Sequence, residues 1–128
     1  MKFGYTILYV DDVEAAVAFY EKAFGFERSV VVPGQYGELA TGDTKLAFAA
    51  NSHVAKMIPV PFQAVGPKKP PAAVEIGLVT KDVAKAYAKA VAAGAVPLAE
   101  PAEKPWGQIV GYVRDLNGFL VEICTPMS

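Results

Sequence analysis

Histidine and cysteine are all but missing from this chain: its 128 residues contain one of each, His53 and Cys124. With His53 as the only histidine, no Ser/His/Asp or Cys/His nucleophile constellation is expected, and there is no glycine-rich phosphate loop of the Walker or dinucleotide type. A lone cysteine closes no internal disulfide, which fits a reducing, cytoplasmic setting. Cys124 itself falls in an apolar strand pattern and reads as inert packing. An excess of charge of either sign is lacking too. The 12 Lys and Arg against 13 Asp and Glu leave a formal net charge of -1, without the basic face that would neutralise nucleic-acid phosphates or an anionic membrane surface. No apolar run approaches the ~20 residues of a membrane span. Met1-Lys2-Phe3-Gly4-Tyr5 leads to Asp11-Asp12 without the apolar stretch of a secretory signal, so neither leader nor membrane is expected.

What is present is apolar material for a core. A hydrophobic content of 53% with 20% charged residues makes the chain globular, and its length suits one domain. A pattern recurs within it: Asp12-Val13 returns as Asp82-Val83, so that Tyr5-Thr6-Ile7-Leu8-Tyr9 faces Glu75-Ile76-Gly77-Leu78-Val79. Tyr5 and Glu75 are therefore equivalent positions of two half-domains. In the first, Phe3 to Val10 is rich in aromatic and β-branched residues and predicts a strand. Asp11-Asp12-Val13-Glu14 reads as a capping box, Val13, Ala16, Val17, Phe19, Tyr20 and Phe24 recur at helical spacing, and Gly25 stops the helix. Strands follow over Phe26 to Val32, Gln35 to Ala40 and Lys45 to Ala50, separated by Pro33-Gly34 and Thr41-Gly42-Asp43 turns. The second half predicts a strand over Ala73 to Val79, a helix from Asp82 to Ala93 stopped by Gly94, and a short strand near Val96 to Leu98. A hairpin of Gln108 to Val113 and Phe119 to Cys124 completes it, with Asn117-Gly118 supplying positive-φ residues to a tight turn.

The expected architecture is α+β: two tandem βαβββ modules forming a curved, mostly antiparallel open barrel. Module one covers about 1–50 and module two about 72–128. Between them, residues 51–71 hold Pro59, Pro61, Pro67, Pro70 and Pro71, which break regular ladders and mark a linker. With Phe62 and Lys68-Lys69 this segment reads either as a plain linker or as one that also folds over a cavity. His53 lies in it and reads as a solvated loop residue.

The stretch from Tyr9 to Tyr20, its continuation Phe24-Gly25-Phe26 and the closing Asp115-Leu116-Asn117-Gly118-Phe119-Leu120-Val121-Glu122-Ile123, set in the tandem repeat, resemble the vicinal oxygen chelate superfamily. That superfamily includes glyoxalase I, extradiol dioxygenases, fosfomycin-resistance enzymes and bleomycin-resistance proteins. The resemblance implies a divalent metal held by histidines on the first strand of each unit and by Glu on the last strands. Glu122 matches that pattern; Tyr5 and Glu75 replace the two histidines, and Lys45 to Ala50 offers no ligand in any register. Imidazole and carboxylate suit such ions, whereas an unperturbed tyrosine stays protonated at neutral pH. No metal and no other cofactor is therefore expected.

Alternation puts Tyr5, Ile7 and Tyr9 on one strand face and Glu75, Gly77 and Val79 on another, with Glu122 joining them by the family analogy. Two carboxyls in an apolar groove repel each other and lose solvation, which raises the pKa of at least one. Either Tyr5, water or Arg114 satisfies them, or they receive a cationic or hydrogen-bond-donating ligand. For that ligand Tyr5, Tyr9, Phe62 and Trp106 offer flat faces, with Ile7 and Phe48 as further walls. Trp106 reads equally as core filler or dimer contact, and Arg114-Asp115 as a turn brace. The expected function is that of a small-molecule binding protein, close in character to the non-metal bleomycin-resistance-like members, sequestering an aromatic or cationic compound as a homodimer. The alternatives are a metal-dependent lyase or thiol transferase resembling glyoxalase I, and a metal-free acid–base enzyme using Glu75 or Glu122.

Overall fold

A computed structural model describes residues 1–127. Its elements run β1 (Tyr5–Val10), α1 (Val13–Phe24), β2 (Glu27–Val32), β3 (Tyr36–Ala40), β4 (Lys45–Ala50), α2 (Asn51–Val54), β5 (Glu75–Val79), α3 (Val83–Ala92), β6 (Val96–Glu103), β7 (Ile109–Arg114) and β8 (Leu120–Cys124). This is βαβββ twice, with one helical turn, α2, where the sequence predicts only linker. The strands form two four-stranded sheets, ordered β1-β4-β3-β2 and β5-β8-β7-β6. In each, the first and last strands of the module pair in parallel and the other pairings are antiparallel. Two compact units meet in sequence at Ala64 and Val65, inside the predicted linker. Among the described residues no helix is long and apolar enough to cross a membrane.

Local chemistry explains the helices. Asp12 stands in extended conformation and its Oδ1 accepts the Ala15 N–H at 3.0 Å, satisfying a donor that the first helical turn leaves open. The cap is thus Asp12 and not Asp11, so Glu14 falls one position short of a reciprocal capping box and serves the helix by its charge in the first turn. Gly25, at φ 76°, ends α1 by donating to the Glu21 carbonyl. Asp82 caps α3 in the same way, accepting from Lys85 N–H at 3.1 Å. Helix α1 buries Val13, Ala16, Val17, Tyr20 and Ala23, and Tyr20 packs on Phe48 with ring centroids 5.1 Å apart. Burying one such side chain stabilises by roughly 1.5–3 kcal/mol.

Each helix sits close on its sheet because a glycine faces it. A Cβ at Gly37 would lie 2.7 Å from Val17 Cγ2, and one at Gly111 would lie 3.0 Å from Tyr87 Cδ2. These glycines occupy equivalent places, Gly37 opposite Phe48 and Gly111 opposite Ile123. Strand β6 runs past its predicted end at Leu98 to Glu103 despite Pro97 and Pro101. It is an edge strand whose register shifts between Pro97 and Ala99 and again before Ala102, so missing N–H donors cost little there. The predicted Asn-Gly turn also needs correction. Gly118 has φ 96°, Asn117 does not have positive φ, and the loop is built by Asp115, whose Oδ1 accepts from Asn117 and Phe119 N–H at 2.9 Å each.

Candidate functional site

The second unit gathers its polar chemistry on the sheet face away from α3. Along β8, Val121 and Ile123 are buried, while the alternate positions Leu120, Glu122 and Cys124 turn to the other face. Sheet register then places Gly77 of β5 and Tyr112 of β7 on either side of Glu122. The Tyr112 hydroxyl donates to Glu122 Oε1 at 3.2 Å. The carboxyl of Glu75 and the thiol of Cys124 also interact with Glu122, which thus stands at the centre of a cluster with Tyr112, Glu75 and Cys124. Burial raises the pKa of Glu75, and the Glu122 hydrogen bond and charge raise it further. Burial likewise pushes the Cys124 thiol up to about 11, reinforced by Glu122, and lifts the Tyr112 hydroxyl above its ordinary value.

Beside this network opens a hollow of about 430 Å³ whose lining includes Gly77, Val79, Trp106, Gln108, Glu122 and Cys124. Trp106 is 61% exposed. Its Nε1–H donates to Gln108 Oε1 at 2.8 Å, and Gln108 Nε2 donates to the Thr125 carbonyl at 2.8 Å. The indole N–H is thus held by an amide that is itself anchored, while most of the side chain stays exposed.

The first unit carries a different set. Tyr5 and Ile7 are exposed on β1, and Tyr9 meets Phe62 edge to face at 5.0 Å. On neighbouring strands Glu38, 7% exposed, accepts from the Tyr36 hydroxyl at 2.9 Å and pairs with Lys45 Nζ at 3.0 Å. The Lys45 hydrogen bond lowers the Glu38 pKa, and burial with the Glu38 bond pushes Tyr36 up to about 12. Of the residues foreseen as ligand contacts, Phe48 is misplaced. It is fully buried on the helix side, against Tyr20.

Residues 2–123 match the Glyoxalase/Bleomycin resistance protein/Dioxygenase superfamily. The chain belongs to that superfamily. Among solved structures, a glyoxalase-related enzyme from Fulvimarina pelagi is 22% identical with a TM-score of 0.86, covering 98% of this chain and 88% of its own. Lactoylglutathione lyase from Agrobacterium tumefaciens is 27% identical with a TM-score of 0.74, covering 98% and 94%. TioX from Micromonospora sp. ML1 is 22% identical with a TM-score of 0.72, covering 98% of both chains. No curated protein matches significantly.

For a member of the superfamily, the donor set of the second unit fits a divalent metal poorly. Glu75 is held above its ordinary carboxyl range by burial and by Glu122, and Cys124 is held as a thiol where a metal needs a thiolate. Among the described residues no group of three or more His, Cys, Asp and Glu is arranged to hold an ion. Arg114, considered from sequence as a partner for these carboxyls, is committed elsewhere. It donates to the carbonyls of Gly118 at 2.9 Å, Gly66 at 3.1 Å, Pro67 at 3.2 Å and Lys69 at 2.8 Å, bracing the hairpin and the end of the linker. His53 sits half-buried on α2. Sequence reasoning missed Tyr112, Gln108 and the Tyr36–Glu38–Lys45 cluster, and it treated Cys124 as packing alone. One signal was available: Gly37-Glu38 and Gly111-Tyr112 occupy matching places in the duplication, each beside the last strand of its unit.

Proposed function

We propose that this superfamily member is a small-molecule binding protein that takes up an aromatic, cationic compound and holds it by burial, with no metal. The observation that carries this reading is that Glu122, the neighbour of Glu75, lines a hollow together with the exposed Trp106. A volume of about 430 Å³ falls within the range of small-molecule sites, roughly 300–1,000 Å³. A carboxylate and an exposed indole in one lining suit a flat cation through charge and cation–π attraction. The first unit offers Tyr5, Ile7, Tyr9 and Phe62 as a second set of ligand contacts, and the working unit of this proposal is a homodimer.

Trp106 is the single tryptophan, so its fluorescence reports the site directly. N-Methylacridinium added in the presence of EDTA should quench it saturably. Glu122→Gln should weaken binding by about tenfold or more, the scale of a lost charge-assisted contact. Absence of quenching by any member of a panel of flat cations would overturn the proposal. The raised pKa of Glu75 favours one second reading, metal-free acid–base catalysis with Glu75 and Glu122 passing a proton. A Glu122→Gln protein that binds normally yet loses a turnover reaction would select it.

A further inference from the structure

Three glycines stand inside strands of the two sheets, and two have a reason in the fold. Gly37 and Gly111 admit α1 and α3, whose side chains a Cβ would strike. Gly77 has no such reason. A Cβ built there meets nothing within 4 Å, and its φ is not in the left-handed region. Glycine inside a strand forfeits side-chain packing and adds disorder to the unfolded chain, so the sheet would do better with another residue. What Gly77 does have is its neighbour: it pairs with Glu122 across β5 and β8 and lines the hollow. The equivalent pair of the first unit is Ile7 and Ala47, and there Ala47 is fully buried. The same register thus carries large beside small in one unit, and nothing beside a carboxylate in the other.

We infer that Gly77 sets the size and charge selectivity of the hollow: its missing side chain leaves a notch through which the compact charged end of a flat monocation reaches Glu122, while the ring lies on Trp106. This rests on the binding reading above and names its ligand class. A single positive charge suits the lining, because Glu122 is the carboxylate there. The Gln108 amide is engaged at its oxygen and its nitrogen, and the Trp106 N–H is engaged by Gln108. Among the described lining residues no cationic side chain is present to greet an anion, and the body of the ligand meets Val79, Cys124 and the indole.

The test compares N-methylacridinium with acridine, its uncharged analogue at mildly alkaline pH, on the intact chain and on Gly77→Ala and Gly77→Val. The intact chain should bind the cation at least about tenfold more tightly than acridine. Affinity for the cation should fall stepwise through Ala to Val, by about tenfold or more for Val. The melting temperature of Gly77→Val should equal or exceed that of the intact chain, since a β-branched residue enters open space on a strand. If the intact chain binds but Gly77→Val binds equally well, the notch is refuted and the binding proposal stands. Equal affinity for acridine and its cation refutes the charge class. A lowered melting temperature for Gly77→Val shows that the glycine serves the fold and refutes the inference. No binding of either probe by the intact chain overturns both proposals together.

Discussion

Glu75 and Glu38 face opposite protonation logic although both are carboxyls on strands of duplicated modules. Burial and Glu122 make folded Glu75 hold its proton more tightly than the unfolded chain does, so its contribution to stability is fully present below the ordinary value of 4.5 and is lost as pH rises through the raised folded value. Glu38, lowered by Lys45, contributes stability above its ordinary value that is lost as pH falls through the lowered one. Glu75→Gln keeps a hydrogen bond to Glu122 without the titration. Its melting temperature should therefore drop less between acid and neutral pH than that of the unaltered chain. Parallel melting curves across that range would show that the two carboxyls are not coupled. The existence of this pair could be argued from sequence because the duplication sets Glu75 at a known strand position and Glu122 follows from family likeness. Tyr112 could not, because its role depends on the β7–β8 register, which places it directly opposite Glu122.

At the scale of elements, the tightest constraint is the approach of α1 to its sheet. Gly37→Ala would put a methyl 2.7 Å from Val17 Cγ2 and 2.9 Å from Val13 Cγ1. Overpacking of this kind costs about 1–3 kcal/mol, more than strand propensity returns. Urea denaturation should show that loss, and Val17→Ala in the same chain should relieve part of it by removing the struck methyl. An Ala substitution that leaves the midpoint unchanged would mean that the helix floats freely over β3. Helix caps and the order of elements were readable because they depend on residues a few positions apart, as Asp12 with Ala15 and Asp82 with Lys85 show. The side to which Phe48 points was not. Lys45-Leu46-Ala47-Phe48-Ala49-Ala50 is apolar on both faces, so alternation alone names no inside, and the choice falls to whichever face α1 covers.

For the whole molecule, each unit offers a sheet whose first strand, β1 or β5, lies at the edge, and whose face away from the helix carries exposed apolar side chains. Tyr5 and Ile7 in the first unit, and Val79 and Trp106 in the second, are 44–64% exposed. Burial of such surface between copies is the expected outcome. Sedimentation at micromolar concentration should return twice the chain mass, and a monomer there would remove the homodimer from the functional proposal.

Sequence alone determined the duplicated βαβββ plan, the superfamily and the two carboxyl positions, because strand and helix periods, caps and a repeated register are local properties written in neighbouring residues. Tertiary structure alone decided that Glu122 is the centre of a four-group network, that Arg114 serves backbone carbonyls instead of carboxylates, that Phe48 belongs to the core, and that Gly77 borders open space. Each of these depends on which strand lies beside which and on which face a helix covers. Such long-range pairings bring together residues tens of positions apart, as with Gly77 and Glu122, and no local pattern in the chain encodes their meeting.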